Sequence, residues 1–229
     1  LELKVGNDTL NKSFPELLWN TKIKFGGIID VPDDNGNTKI QGPGIGLALS
    51  LKDINSGEKE RLQLIKSLKK GSLPKNKGEI LLSDDYAKKL ALKPGDEITY
   101  FGSTMEGSMV LQRFIMTGTV RFGSPMMDKG TFIIDIDEAQ ELLDMNDGTG
   151  ELLGFFKDKI YDDQRASKIA EDFNSKYLNS TDEYAPVMFT LKEQNDLGTS
   201  LDIAESFLGA FIFVFILAMS LVLWNTGLI

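Results

Sequence analysis

Apolar and polar positions along this chain fall into short runs with strand or helix periods, followed by one long run that is apolar all round. Residues 1–5 (Leu-Glu-Leu-Lys-Val) alternate and predict a half-buried strand. Residues 7–20 show no period, carry Pro15 and read as irregular. Residues 22–31 predict a strand, kinked or bulged at Gly26-Gly27. Residues 32–36 form a turn in which Asn35-Gly36 suits a type I′ hairpin. A second, glycine-rich strand covers 39–51. Leu62, Ile65 and Leu68 place a short helix over 58–68, and 71–78 is a loop.

The block that follows is more regular. Residues 79–82 predict a strand, and Ser83 opens a helix over 84–90. Asp84 and Asp85 sit in its first turn and Lys88 and Lys89 in its last, matching the helix dipole. A tight turn at 92–95 leads into a strand at 96–101, a hairpin loop at 102–107 and strands at 111–120 and 131–136. A helix over 137–144 is closed by Asn146-Asp147-Gly148. Then come a strand at 151–156, a helix at 162–177 and a strand at 185–190; the helix keeps Ala166, Ile169, Ala170, Phe173 and Tyr177 on one face. Thr190-x-x-Glu193 is a capping box. Beyond it Leu197, Leu201, Ala204 and Leu208 keep helical spacing into the apolar run, with Gly198 as a candidate hinge. Strands outnumber helices and the two are mixed, which gives an α+β fold class.

Charge sharpens this picture at the C-terminal end. Every charged residue lies at or before Glu205, and residues 206–229 carry none. A membrane span needs about 20 mainly apolar residues. The run marked by Phe207, Phe211, Phe215, Leu221 and Trp224 meets that length and lacks the polar stripe of a core helix. Trp224 with Asn225-Thr226 suits an interfacial or bundle-facing patch. No Lys or Arg follows the span, and the acidic flank before it (Asp196, Asp202, Glu205) favours the non-cytoplasmic side. The chain starts at Leu1 and stops without a polar tail, so a piece of a larger membrane protein is expected.

Composition narrows the chemistry. The 229 residues include 34 Asp+Glu and 25 Lys+Arg, for a net charge of −9, with no Cys and no His. Disulfides, thiol nucleophiles, imidazole metal sites and His-based triads are therefore excluded. The acidic balance argues against nucleic acid as a partner. Asp33-Asp34-Asn35-Gly36-Asn37 fails the EF-hand spacing, since the sixth and twelfth positions are Thr38 and Gly44. Gly42-Pro43-Gly44-Ile45-Gly46 has neither dinucleotide nor P-loop spacing. Met105, Met109, Met116, Met126 and Met127 are too loosely spaced for copper, but Met126 and Met127, adjacent in a Gly/Pro loop, are candidate contacts for a partner or substrate. Lys66, Lys69, Lys70, Lys75 and Lys77 read as a solvated surface rather than a headgroup site. No carboxylate pair marks an acid/base dyad, so a non-enzymatic chain without cofactor is expected.

The stretch 79–99, with Ala87, Leu90, Leu92, Gly95 and Asp96, resembles the extracytoplasmic core domain of FtsX/MacB-type ABC transporter permeases, a group that includes the LolC/LolE lipoprotein-release subunits. Gln112-Arg113-Phe114, Thr117-Gly118-Thr119, Asp128-Lys129, the helix at 136–143 and the span ending in Trp224-Asn225-Thr226 extend the resemblance over residues 22–229. It implies a porter-like α/β part from 1–70 and 151–200, an inserted β-rich part (called sabre) at 71–150, and a membrane helix at 206–229. It also implies a bacterial inner-membrane location with residues 1–205 on the periplasmic side. The implied partners are a cytoplasmic ABC ATPase subunit, a second permease copy or paralogue, membrane lipid, and a lipoprotein, peptide or small-molecule substrate. The residues alone leave two other readings open: a tail-anchored adaptor domain and a membrane-anchored hydrolase.

Overall fold

The computed structural model describes residues 3–33, 35–178, 181, 185–194 and 197–227. They divide into two compact units, Leu1–Lys159 and Ile160–Ile229.

The first unit is organised by one long strand. β1 (Leu17–Pro32) runs 16 residues, longer than any strand the sequence predicts, and serves two sheets. Its first half pairs antiparallel with β8 (Glu151–Phe156), from Leu17↔Phe156 to Lys22↔Glu151. Its second half pairs antiparallel with β2 (Thr38–Leu49) and, at Ile28–Asp30, with β5 (Glu97–Ser103). The remaining pairings run from β2 to β7 (Thr131–Asp135), to β4 (Glu79–Ser83), to β6 (Met109–Val120) and back to β5. Because β1 touches both β2 and β5, this path closes into a six-stranded barrel. The β2–β7 and β4–β6 pairs are parallel and the others antiparallel. Closure removes the exposed edges that an open sheet of these strands would carry.

Strand alternation sorts side chains between two cores. Ile29, Ala48, Ile80, Leu82, Ile98, Tyr100, Phe114, Met116, Phe132 and Ile134 form one buried cluster. The same cluster takes Tyr86, Ala87 and Leu90 from α4 (Asp84–Lys89) with its C-cap, and Ile136, Ala139 and Leu142 from α6 (Ile136–Leu142). The intervening residues Leu47, Leu49, Leu81 and Ile133 join Leu51, Leu64 and Val120 in a second cluster. That cluster lies with α3 (Leu64–Ser67), which follows α2 (Glu58–Arg61). Strands β2, β4 and β7 are thus apolar on both faces, and this is why they read as runs rather than alternations. Each Leu or Ile fully buried this way stabilises the fold by roughly 1.5–3 kcal/mol.

Gly44 and Gly46 of β2 make room for rings. A Cβ on Gly44 would lie 3.0 Å from Phe132, and one on Gly46 would overlap Phe25. Phe25, Tyr100 and Phe132 stack edge to face, with centroids 5.5–5.9 Å apart. Tyr86 Oη donates to the Gly42 carbonyl at 2.8 Å. The glycine-rich run is a seat for aromatic side chains.

Several expectations are corrected. Leu3–Ser13 form helix α1, so residues 3–5 are not in a strand; Leu1 and Glu2 lie outside the described residues. Buried Gly6, Leu10 and Phe14 recur every four residues, a helical spacing that outweighs five alternating positions. There is no bulge at Gly26-Gly27: pairing with β2 is continuous from Ile23 to Val31 and shifts only at Val31/Pro32. The β1–β2 turn is not type I′, which needs two left-handed residues, since Gly36 (φ +81°) is left-handed and Asn35 is not. The Asp33 amide donates to the Asn37 carbonyl and the Gly36 amide to the Asp33 carbonyl, as in a three-residue hairpin loop. The helix expected over 58–68 is broken at Gln63 (φ +49°) into α2 and α3. It is followed by the short strand β3 (Leu68–Gly71) on β6.

The strand near 22–31 and the strand at 152–156 share a ladder, as the division into 1–70 with 151–200 expects. β5 also pairs with β1 and β7 with β2, so residues 71–150 share one barrel with the beginning of the chain.

The second unit contains α7 (Asp163–Asn174), a 3-10 turn (Ser175–Tyr177), the segment 185–194 and α8 (Leu197–Thr226). Residues 185–190 are not a strand; they run without helix, turn or bend and without a ladder partner.

Candidate functional site

The 30 residues of α8 form one continuous helix. At about 1.5 Å per residue its charge-free part alone exceeds 30 Å. None of its side chains is buried, and its most apolar window has a mean hydropathy of 2.6. Phe207, Phe211, Phe215, Leu221 and Trp224 are all 60–74% exposed. A helix carrying large apolar groups on every side is satisfied in hydrocarbon and costly in water. The last hydroxyl, Thr226 Oγ1, donates back to the Val222 and Leu223 carbonyls at 3.0 Å, closing its polar group internally.

The start of α8 is tied to α7 within the same unit. The Gly198 amide donates to the Lys192 carbonyl at 2.8 Å, and Lys192 Nζ lies 3.1 Å from Asp163 Oδ2. Tyr161 Oη donates to Asp163 Oδ1 at 2.8 Å. These two bonds hold the Asp163 carboxyl below its ordinary pKa, and Asp163 raises that of Lys192. Glu193 Oε2 accepts from the Thr190 amide at 2.7 Å, the Glu half of the expected capping box. It closes a turn at 191–193 rather than opening the long helix, and Asn195 and Asp196, where a continuous helix was expected, lie outside the described residues. Gly198 is in the first turn of α8, not its interior. A Cβ there would sit 3.0 Å from the Lys192 carbonyl, so the glycine permits a close contact.

Met126 and Met127 separate. Both lie in the short helix α5 (Pro125–Asp128), but Met126 is 83% exposed while Met127 packs on the second barrel cluster. The Asp128 carboxylate accepts from the Phe122 and Gly123 amides at 2.7 and 3.0 Å and fixes the loop before them.

The residues that carry the family resemblance have structural roles. Ala87, Leu90 and Leu92 are in the barrel core. Gly95 is left-handed (φ +100°) and donates to the Met116 carbonyl at 2.7 Å. Asp96 Oδ2 accepts from the Lys93 amide at 2.7 Å, locking the turn into β5.

Three polar groupings escaped the sequence reading. Asn20 donates to Glu58 Oε1 and the Ser56 carbonyl, Arg61 pairs with Glu58, and the Arg61 guanidinium stacks 3.6 Å over the Phe155 ring. Glu138 Oε1 accepts from the Gly78 amide at 2.7 Å, while Oε2 is buried without a partner. Burial pushes the Glu138 carboxyl above the ordinary range. Asn174 clamps the Met188 backbone with two 2.9 Å bonds. A lone Asn or Glu in a helix carries no periodic signal that reveals a distant backbone partner. Among the described residues no three carboxylates are placed to hold a metal ion.

No family model and no curated protein matches the chain. Among solved structures, the periplasmic region of MacB from Actinobacillus actinomycetemcomitans is similar to it. The likeness covers 77% of this chain and 74% of that one, at 15% identity and a TM-score of 0.48.

Proposed function

We propose that this chain is the extracytoplasmic domain and adjoining membrane helix of an ABC transporter permease subunit. The single observation that carries the reading is α8: a helix exposed all round and free of charge from Ser206 onward, in a chain whose α/β part bears the permease-like motifs at 79–99 and 112–143. In this reading residues 1–205 lie on the periplasmic side of a bacterial inner membrane and α8 spans it from Ser206 onward. The chain is not itself an enzyme. A cytoplasmic ABC ATPase subunit hydrolyses ATP, and a second permease copy or paralogue completes the assembly. The work is done on a lipoprotein, peptide or small molecule at the outer face.

The bonds at the base of α8 give a route for mechanical coupling. Tilting α8 pulls on Gly198, Lys192 and Asp163 in turn, and so on α7. The exposed Met126 is a candidate contact for the moving partner or substrate.

The test is isolation of the native protein from its own membranes in mild detergent. An ATP-hydrolysing subunit or domain is expected in stoichiometric amount. Recovery of the intact native protein with no ATPase attached contradicts the transporter reading and favours a tail-anchored adaptor.

A further inference from the structure

Residues 185–191 (Ala-Pro-Val-Met-Phe-Thr-Leu) are uncharged in a chain of net charge −9. Their even positions face the unit's own polar groups. The Met188 amide donates to Asn174 Oδ1 and its carbonyl accepts from Asn174 Nδ2, each at 2.9 Å. The Thr190 amide donates to Glu193. Pro186, on the same side, has no amide to satisfy. Val187 and Phe189 are different: among the described residues neither backbone has a hydrogen-bond partner, and their side chains are each 60% exposed. In an extended chain successive residues point their backbone groups to opposite sides. Asn174 therefore acts as a one-residue stand-in for a neighbouring strand on one side, and leaves two donors and two acceptors, two residues apart, on the other.

We infer that this segment pairs antiparallel with the same segment of a second copy, about a two-fold axis at Met188. The spacing is self-complementary. With Met188 facing Met188, Val187 of each copy lies opposite Phe189 of the other as a hydrogen-bonded pair, and the four free backbone groups of each copy meet those of its mate. Met188 is then the non-bonded pair, which suits an amide and carbonyl already turned toward Asn174. Val187 packs across from Phe189, a β-branched and aromatic pair of the kind that stabilises ladders. An isologous contact of this kind closes at two copies. The uncharged segment lets two acidic chains approach without like-charge repulsion, and no other residue type is needed. This specifies the second copy named above, and rests on that reading only for two copies sharing a membrane.

Residues 1–229 hold no cysteine, so each replacement places a single thiol in this stretch and is read against the unsubstituted protein. Facing residues of a non-bonded pair have Cα atoms about 4.5 Å apart, within disulfide reach. Met188→Cys in the full chain in native membranes is expected to cross-link to a second copy under mild oxidation at least about tenfold faster than Val187→Cys or Phe189→Cys alone, whose own mates are offset by two residues. Mixed Val187→Cys and Phe189→Cys chains should cross-link to each other. A second variant guards against misfolding: Phe189→Pro removes an amide that makes no bond within the chain, together with the ring that packs on Val187 of the mate, and should shift the detergent-solubilised protein from two copies to one. Cross-linking of Met188→Cys no faster than that of Glu106→Cys on the barrel, attachment to a different protein, or an unshifted Phe189→Pro overturns the pairing. ATPase co-isolation is scored separately, so the transporter reading stands or falls independently.

Discussion

Gly46 shows how far a residue's reason can lie from its neighbours in sequence. Its missing side chain is filled by the Phe25 ring from the adjacent strand, and Phe25 in turn contacts Tyr100 and Phe132. The sequence excluded a phosphate loop at 42–46 by spacing, but nothing local names the rings that need the room. Gly46→Val should destabilise the chain by about 1–3 kcal/mol through overpacking. Gly26→Ala, with open space around its Cβ, should be near neutral, and thermal denaturation of the detergent-solubilised chain compares the two. Glu138 gives a pH prediction. Burial raises its folded pKa above the unfolded one, so the native state holds its proton longer. The stability this contributes is complete below the unfolded pKa and is lost as pH rises through the folded pKa. Glu138→Gln keeps the acceptor for the Gly78 amide and removes the charge; it should raise Tm at neutral pH and give no gain near pH 4.

At the scale of elements, strong periods were legible and weak ones were not. β4, α4, β5, β6, β7, α6 and β8 fall close to where apolar spacing and capping residues put them. α1 was mistaken because alternation over five residues cannot compete with a four-residue recurrence that becomes visible only once Leu10 and Phe14 are included. Residues 185–190 have the composition of a strand, yet among the described residues no strand pairs with them; Asn174 supplies the polar contact instead. Asn174→Ala should therefore remove two hydrogen bonds, at about 1–3 kcal/mol in all. Amide exchange at Met188 should speed up while exchange in the barrel strands stays unchanged; equal acceleration in both would mean that Asn174 acts globally. In α8, Phe215→Arg at mid-run should disfavour insertion by about 2.5–3.5 kcal/mol, read as the inserted fraction in a translocon assay. Unaltered insertion would remove α8 as the anchor.

At the scale of the whole molecule, the mixed α/β class and the terminal apolar helix were legible, and the weave of the barrel was not. Closure depends on β1 reaching both β2 and β5, and on the parallel β2–β7 pair, whose partners Ile45 and Thr131 stand 86 positions apart. No hydrophobic period encodes such a long-range choice, and the β1–β5 and β2–β7 pairs run across the division at 70 and 150 that the family resemblance implies. The account's central claim is that the barrel lies outside the cytoplasm, held there by α8. The β5–β6 hairpin tip exposes Glu106, and residues 1–229 hold no cysteine, so Glu106→Cys reports on the barrel when read against the unsubstituted protein. The most direct measurement is labelling of that cysteine by a membrane-impermeant maleimide in intact spheroplasts. The account predicts complete labelling before lysis. Labelling that appears only after the membrane is broken would place the barrel in the cytoplasm and contradict it.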